Sequence, residues 1–319
     1  MGKKESPLVS IRCTVYNHEP YLRQCLDGFV MQKTNFAFEA IVHDDASTDN
    51  SAEIIREYAE KYPDIIKPIY ETENQYSKQD GSLDRIMNEH THGKYVAFCE
   101  GDDYWTDPLK LQKQVEILEK NSNIGLCYTK IIKYIQEKGK NGSVWGGNYT
   151  NFNELLISNT IPTLTCLLRK DLVLRYYEEI KPENKSWKMG DYPMWLWISY
   201  NSNIFFLPEI TGVYRVVKES ASHSSNLITR VNFVISTFDI RLFFASKYNM
   251  YQYDILVKES LWWHLIHSIL SKDLDNISLY KKKLNGNTVL KKKIIIFLSD
   301  KYPKVARFMV KKYIKHFIG

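Results

Sequence analysis

The chain has no Cys-x-x-Cys pair, no apolar run long enough to cross a bilayer, no internal repeat and no low-complexity segment beyond clusters of lysine. Its cysteines, Cys13, Cys25, Cys99, Cys127 and Cys166, are scattered and odd in number. Neither a zinc site nor a disulfide framework follows from that spacing, and the thiols read as small core hydrophobes in a reducing compartment. The absence of a long apolar run excludes a membrane-spanning helix. The opening residues Met1–Pro7 lack the apolar stretch of a signal peptide, and Gly2 with only Ser6 behind it makes no convincing acylation signal. The segment Thr14-Val15-Tyr16-Asn17-His18-Glu19-Pro20, which follows the first strand-like run, holds neither glycine nor lysine. A Gly-rich, basic phosphate loop is therefore missing from the place where a nucleotidyltransferase would carry it.

What is present is ordinary in bulk and uneven in detail. A chain of 319 residues, 44% hydrophobic and 25% charged, makes one large domain or a domain with an appendage. Residues 281–319 hold 12 Lys and Arg against one acid, Asp300, whereas residues 1–280 hold 31 Lys and Arg against 36 Asp and Glu. A mildly acidic body thus ends in a strongly basic tail, which suggests that the tail meets something anionic.

The first 124 residues alternate strand and helix signals. Short β-rich runs at 8–13, 38–43, 65–70 and 95–99 are separated by helical patterns at 19–31, 50–61 and 82–91, and a further helix follows Asp107-Pro108. Asn50-Ser51-Ala52-Glu53 has the spacing of a capping box. This order predicts an α/β fold with a mainly parallel sheet covered on both faces. Beyond residue 124 the rhythm changes. Residues 125–135, 163–168 and 204–217 read as strands around a Gly/Asn-rich loop region at 139–153, and 226–270 reads as helix.

The apolar run Tyr95-Val96-Ala97-Phe98-Cys99 ends in Glu100, Asp102 and Asp103, with no Lys or Arg beside them. Ligands of open α/β sheets bind at the carboxyl ends of strands, and carboxylates gathered there suit Mg²⁺ or Mn²⁺ carrying a phosphate. A second strand ends in Asp44-Asp45-Ala46-Ser47-Thr48-Asp49, and a first in Thr14-Val15-Tyr16-Asn17. Downstream come Gly190-Asp191, ahead of a Trp-rich apolar helix, and Tyr214-Arg215 with His223 soon after.

This ordered set, across residues 8–225, resembles the family 2 glycosyltransferases of the GT-A fold, of the type that builds bacterial surface polysaccharides. The resemblance implies a catalytic domain over 1–225, with a nucleotide-sugar-binding part at 1–124 and an acceptor part at 125–225, followed by a helical extension at 226–319. It implies that Asp45 accepts a hydrogen bond from the base of the donor, uracil above all, since a carboxylate accepts from N3–H. It also implies that Thr14 and Tyr16 line the base pocket, that Asp102 holds the metal, and that Asp191 is the general base of an inverting displacement. The usual Asp-x-Asp is Glu-x-Asp here, so Glu100 reaches the sugar, the ribose or the metal. In this reading Asp103 binds the metal through water or holds the loop, His223 completes the metal shell or touches a phosphate, and Arg85, with Lys78 as a second basic candidate, meets phosphate.

Within residues 304–318, Lys304, Arg307, Lys311 and Lys315 share one helical side, and Ala306, Met309, Val310, Tyr313 and Phe317 share the other. With the lysines from 281 onward, that pattern predicts an amphipathic anchor whose apolar side enters an anionic membrane surface, the alternative being a helix docked on the catalytic domain with its lysines solvated. The expected partners are a nucleotide sugar, a UDP-sugar first, and a glycan or lipid-linked glycan. The expected cofactor is Mn²⁺ or Mg²⁺, no nucleic acid is expected, and the expected place is the cytoplasm, at the inner face of the membrane. The rival readings are a nucleotidyltransferase that makes nucleotide sugars and an inactive glycan- or membrane-binding protein of the same fold.

Overall fold

The computed structural model describes residues 6–149, 151–218, 224–284 and 290–317 of the protein. The chain divides into two compact units, one of residues 1–185 and 191–216, the other of residues 186–190 and 217–319. The division falls after Val216, where the last strand ends, rather than at the expected 225. The short stretch 186–190 groups with the second unit.

The first unit runs β1 (Val9–Val15), α1 (Glu19–Val30), β2 (Phe38–Asp44), α2 (Ser51–Lys61), β3 (Ile66–Tyr70), α3 (Gln75–Lys78), α4 (Ser82–His90), β4 (Tyr95–Phe98), β5 (Tyr104–Trp105), α5 (Lys110–Lys120), β6 (Ile124–Ile135), β7 (Lys140–Trp145), α6 (Phe152–Ile157), β8 (Leu167–Arg169), α7 (Lys170–Ile180), α8 (Asp191–Asn201) and β9 (Asn203–Val216). The strands form one sheet in the order β3-β2-β1-β4-β8-β6-β9-β5, with β7 paired to β6. The half β3-β2-β1-β4 is parallel throughout. The other half is mixed, because β8 lies antiparallel to both β4 and β6 while β9 runs parallel to β6.

The parallel half explains its own sequence. Along β1, Val9, Ile11, Cys13 and Val15 are buried on one face, and Ser10 and Arg12 are buried on the other. A strand covered on both faces reads as a near-continuous apolar run. The two polar exceptions are satisfied: Ser10 Oγ donates to Glu39 at 2.7 Å, and Arg12 donates through Nε to Thr91 Oγ1 and through Nη2 to Asn88 Oδ1. Helix α1 starts with Pro20 in its first turn and buries Leu22, Cys25, Leu26 and Phe29, a stripe at spacings of three and four. Helix α8 buries Tyr192 through Ile198 without a break, the mark of a helix enclosed on all sides.

Several local expectations change. Asn50 does not cap α2. Asp49 does so, accepting Ser51 N at 3.0 Å, while the Asn50 amide donates to Glu19 at 2.7 Å. Asp is as good a cap as Asn, and one residue of register decides between them. Thr163–Thr165 is a tight 3-10 turn, and only Leu167–Arg169 pairs as strand. The loop expected at 139–153 contains β7, which folds back on β6. The helical pattern at 226–270 is two helices, broken at 248–252.

The second unit is helical among its described residues: α9 (Leu227–Lys247), α10 (Tyr253–Ser271), α11 (Leu274–Lys283), α12 (Leu290–Lys301) and α13 (Pro303–Phe317). No described helix is long and apolar enough to cross a membrane. The tail's expected membrane-facing side is used internally. Ala306 and Val310 are fully buried, Tyr313 packs its ring 5.5 Å from Trp262 and 6.0 Å from Trp263 of α10, and Arg307 Nε donates to Ile269 O. The hydrophobic stripe read from sequence is a core contact of this unit, since an apolar stripe cannot by itself tell protein from lipid as its cover. The side chain of Phe317, also assigned to that stripe, lies outside the described residues.

One buried charge carries a pH signature. Lys110 is fully buried on α5, 2.9 Å from Gln114 Oε1, with its ammonium 4.0 Å above the Trp105 ring. Burial lowers its pKa from 10.5 to about 8, against the opposing influence of Cys99, Cys166 and Cys127. The unfolded chain binds the extra proton between those two values, so stability rises with pH across that window and the penalty is complete below about pH 8. Urea unfolding of the protein between pH 8 and 10 is expected to show this rise, about 1–3 kcal/mol in total, and Lys110→Met is expected to flatten it. An unchanged slope in Lys110→Met would refute the assignment.

Candidate active site

Three parallel strands deliver their ends to one edge. The register sets Val15 against Asp44. Past the ladder, Val15 O accepts Asp45 N at 2.8 Å, Arg12 O accepts Cys99 N at 3.1 Å, and Thr14 O accepts Gly101 N at 3.0 Å. These bonds carry the pairing of β1 with β2 and β4 into the loops, so the segments of Thr14–Tyr16, Asp45 and Glu100–Asp102 lie side by side. Asn17 and Ala46 both adopt left-handed backbone, at φ 57° and 61°. Strain of this kind concentrates at functional sites. Here it is held by a latch: Asn17 N donates to Ser47 Oγ, Thr48 N to Asn17 Oδ1, His18 N to Ser51 Oγ and Glu19 N to Asp49 Oδ2.

Asp45 is buried, and its two oxygens accept backbone N–H groups from Gln75 at 2.6 Å and Tyr76 at 3.0 Å, at the start of α3. Each oxygen retains a second lone pair. Tyr16 and Tyr76, 48% and 57% exposed, are both attached to the backbone that brackets Asp45. Tyr76 went unnoticed in the sequence because α3 is a single turn with no periodicity to announce it. Beside Asp45, buried His43 and Asp44 Oδ1 have polar atoms without a hydrogen-bond partner among the described residues, and Glu71 lies 3.5 Å from His43 Nε2. Burial lowers the pKa of His43 despite Asp45 and Glu71.

The acid loop is more crowded. Gly101 is required where it stands, since a Cβ there would lie 2.7 Å from His18 Nδ1 and 3.0 Å from Val15 Cγ2. Glu100 is exposed at the surface; crowding by surrounding protein atoms, followed by the charges of Asp102 and Asp191, shifts its carboxyl upward. Three acids, two from one loop and one from the start of α8, therefore share one field. Asp191 is oriented by the Thr163 hydroxyl, which donates to Oδ2, and by Tyr192 N, which donates to Oδ1 at 2.7 Å. The turn bearing Thr163 is itself tied to the acid loop, because Trp105 Nε1 donates to Leu164 O at 2.7 Å. Sequence reading missed Thr163; it lies 28 residues from Asp191 and nothing local marks it.

Asp103 has a different task from Asp102. It is buried, its Oδ1 accepts Arg215 N at 2.8 Å, and burial together with Asp102 holds its pKa well above the carboxylate range. Its bond to Arg215 N fastens the acid loop to the end of β9. Asp102 is half-buried and keeps a solvent face. Arg215 completes the fastening: Nε donates to Asp102 O, Nη1 to Gln136 Oε1 and Nη2 to Gln24 Oε1, at 2.7 to 2.8 Å. The guanidinium lies over the rings of Tyr21, Tyr104 and Tyr134 at 4.8, 5.3 and 5.6 Å. Arg85 is exposed and spent locally on Asp80 O and Ser82 Oγ, and Lys78 reaches Gln75 and Glu73. His223 lies outside the described residues.

Among the described residues no three His, Cys, Asp or Glu side chains could enclose a cation. Asp102 fits a hard divalent ion that takes the rest of its shell from phosphate and water, the habit of Mg²⁺ in phosphate sites.

Residues 10–176, more than half of the chain, match Glycosyl transferase family 2, and the protein belongs to that family. A protein of Mycobacterium tuberculosis is 35% identical over 222 residues, 68% of this chain and 61% of the relative, so the chain spans about three fifths of that relative's length. A putative teichuronic acid biosynthesis glycosyltransferase of Bacillus subtilis is 33% identical over 118 residues, 36% of this chain and 44% of the relative. Among solved structures, S. aureus TarS in complex with UDP-GlcNAc superposes with a TM-score of 0.63 at 16% identity, covering 97% of this chain and 92% of that one. The mannosyltransferase PcManGT from Pyrobaculum calidifontis, with GDP-Man and Mn²⁺, gives 0.54 at 16% identity over 97% and 85%. The fold is thus that of the GT-A glycosyltransferases.

The Arg215 clamp is testable without substrate. Arg215→Gln strips donors from Gln24, Gln136 and Asp102 O together, and is expected to lower the unfolding free energy by about 2–4 kcal/mol in urea titration. A loss below about 1 kcal/mol would show that the clamp is not a structural tie.

Proposed function

We propose that the protein transfers a sugar from a nucleoside diphosphate donor, UDP-linked before GDP-linked, to a hydroxyl of a glycan or lipid-linked glycan at the cytoplasmic face of a membrane. Transfer is a single inverting displacement. The observation that carries this reading is the shared field of Glu100, Asp102 and Asp191, with Asp191 locked by Thr163. It is supported by the nucleotide sugars bound to TarS and PcManGT and by the pathway named for the teichuronic acid relative.

Asp45 would accept from the base, using the lone pairs left beside the Gln75 and Tyr76 amides. An acceptor-only group suits N3–H of uracil and N1–H of guanine and rejects cytosine, whose N3 has no proton. Tyr16 and Tyr76 would flank the ring. Asp102 would hold a divalent cation, Mn²⁺ or Mg²⁺, whose chemistry there is to neutralise charge on the leaving diphosphate. Glu100, whose carboxyl is shifted upward beside Asp102 and Asp191, would meet the donor's sugar or ribose. Asp191 would take the proton of the acceptor hydroxyl as that oxygen attacks the anomeric carbon. Thr163 leaves one lone pair of Oδ2 and both sides of Oδ1 to be shared between Tyr192 N and the acceptor. Positioning supplies most of the gain, since a carboxylate is a weak base for a free alcohol.

Thermal melting with Mn²⁺ and each of UDP, GDP, dTDP and CMP is expected to show a rise of about 5 °C with UDP, a smaller one with GDP and none with CMP. EDTA and Asp102→Asn should each abolish the rise. No shift with any nucleotide would leave an inactive binding protein as the better description. Once a donor is in hand, Asp191→Asn should cut kcat by about 10²–10⁴-fold while leaving the UDP-induced shift intact. A fully active Asp191→Asn would remove the base from this mechanism.

A further inference from the structure

The last two helices present two opposite stripes, of which the fold uses one. On α13 the inward stripe is Ala306, Val310 and Ile314, all fully buried. On the other side Val305 and Phe308 are 47% and 69% exposed, set among the exposed Lys304, Lys311, Lys312 and Lys315. Helix α12 repeats the arrangement. Ile295 and Ser299 are buried, whereas Ile294 and Phe297, at 41% and 57% exposure, share their side with Lys293 and Lys301. Tyr302, between the helices, is 57% exposed. The ammonium of Lys301 sits 5.1 Å over the Phe297 ring. Residues 294, 297 and 301, and then 305, 308 and 312, follow helical spacing, so each set forms one face.

We propose that this outward face, and not the buried one, rests on an anionic lipid bilayer. Four exposed apolar side chains interleaved with lysines fit the headgroup boundary. There the rings and aliphatic groups reach the acyl region, while the lysines lie along the surface with their ammonium groups on lipid phosphate. Charge complementarity selects the occupant: residues 281–319 hold 12 Lys and Arg and a single acid. Nucleic acid would use the same charge but has no need of Ile294 or Val305, which offer a base nothing to stack upon. The helices lie on the surface rather than through it, because neither is long and apolar enough to span it. The proposal is independent of the sugar-transfer reading, and its test involves no turnover.

The test is sedimentation of the full chain with phosphatidylcholine vesicles, with and without phosphatidylglycerol. Binding is expected only with phosphatidylglycerol. Phe308→Ser should weaken it about tenfold or more. Lys311→Gln with Lys312→Gln should weaken it about thirtyfold, and added salt should weaken it further. These positions are exposed, so the melting temperature of each variant should match the parent, and a matched melt is the condition for reading the result. Three results would overturn the proposal: no sedimentation with anionic vesicles, vesicle binding indifferent to Phe308→Ser, or competition by RNA as strong in Phe308→Ser as in the parent.

Discussion

One guanidinium holds the acid-bearing edge of the sheet together. Arg215 enters at the end of β9, far along the chain from the loops it fastens, and spends its donors on Asp102 O, Gln24 and Gln136. Its own backbone N–H goes to Asp103. The three tyrosine rings around it exclude water and favour the cation. Buried charge is tolerated here because each of its three nitrogens donates a hydrogen bond and Asp103 lies close by. The consequence for function is a division of labour inside two consecutive acids. Asp103 is buried and bonded to Arg215 N, whereas Asp102 keeps a solvent face, which leaves it the acid available to the chemistry proposed above.

That division is the part of the site the sequence could not express. Strand ends rich in acids were legible, because a buried parallel strand is an unbroken apolar run and its termination in carboxylates is abrupt. The edge formed by Thr14, Asp45 and Glu100–Asp102 follows from the alternation of strands and helices alone. Which acid faces out, however, depends on a partner more than a hundred residues away. The same holds for Thr163, whose hydroxyl orients Asp191, and for Tyr76, which a one-turn helix places beside Asp45. Long-range side-chain bonds leave no periodic trace, so they enter only with the fold.

The C-terminal helices show the complementary failure. Amphipathicity was legible, and the residues of the apolar stripe were correctly grouped, but its cover was not. Trp262 and Trp263 of α10 supply that cover. A helix with one apolar stripe needs one partner, and α10 is it. Val305 and Phe308, which the sequence reading passed over, interrupt the lysine face with exposed apolar groups. Residues that violate the local pattern without a packing reason are where function is to be sought.

The active edge obeys the same rule through electrostatics. The charges of Glu100, Asp102 and Asp191 act on one another at this edge, and such like-charge crowding raises the free energy of the folded protein. Asn17 and Ala46 add backbone strain beside it. Natural sequences relieve such costs unless something else depends on them. On the function proposed above, a divalent cation carrying a diphosphate would bring positive charge and oxygen ligands together to this edge. The stability lost at this edge is offset elsewhere, in the doubly covered strands β1 and β4 and in the closed helix α8. The body of the sheet can therefore be rigid and apolar while its edge remains deliberately short of partners.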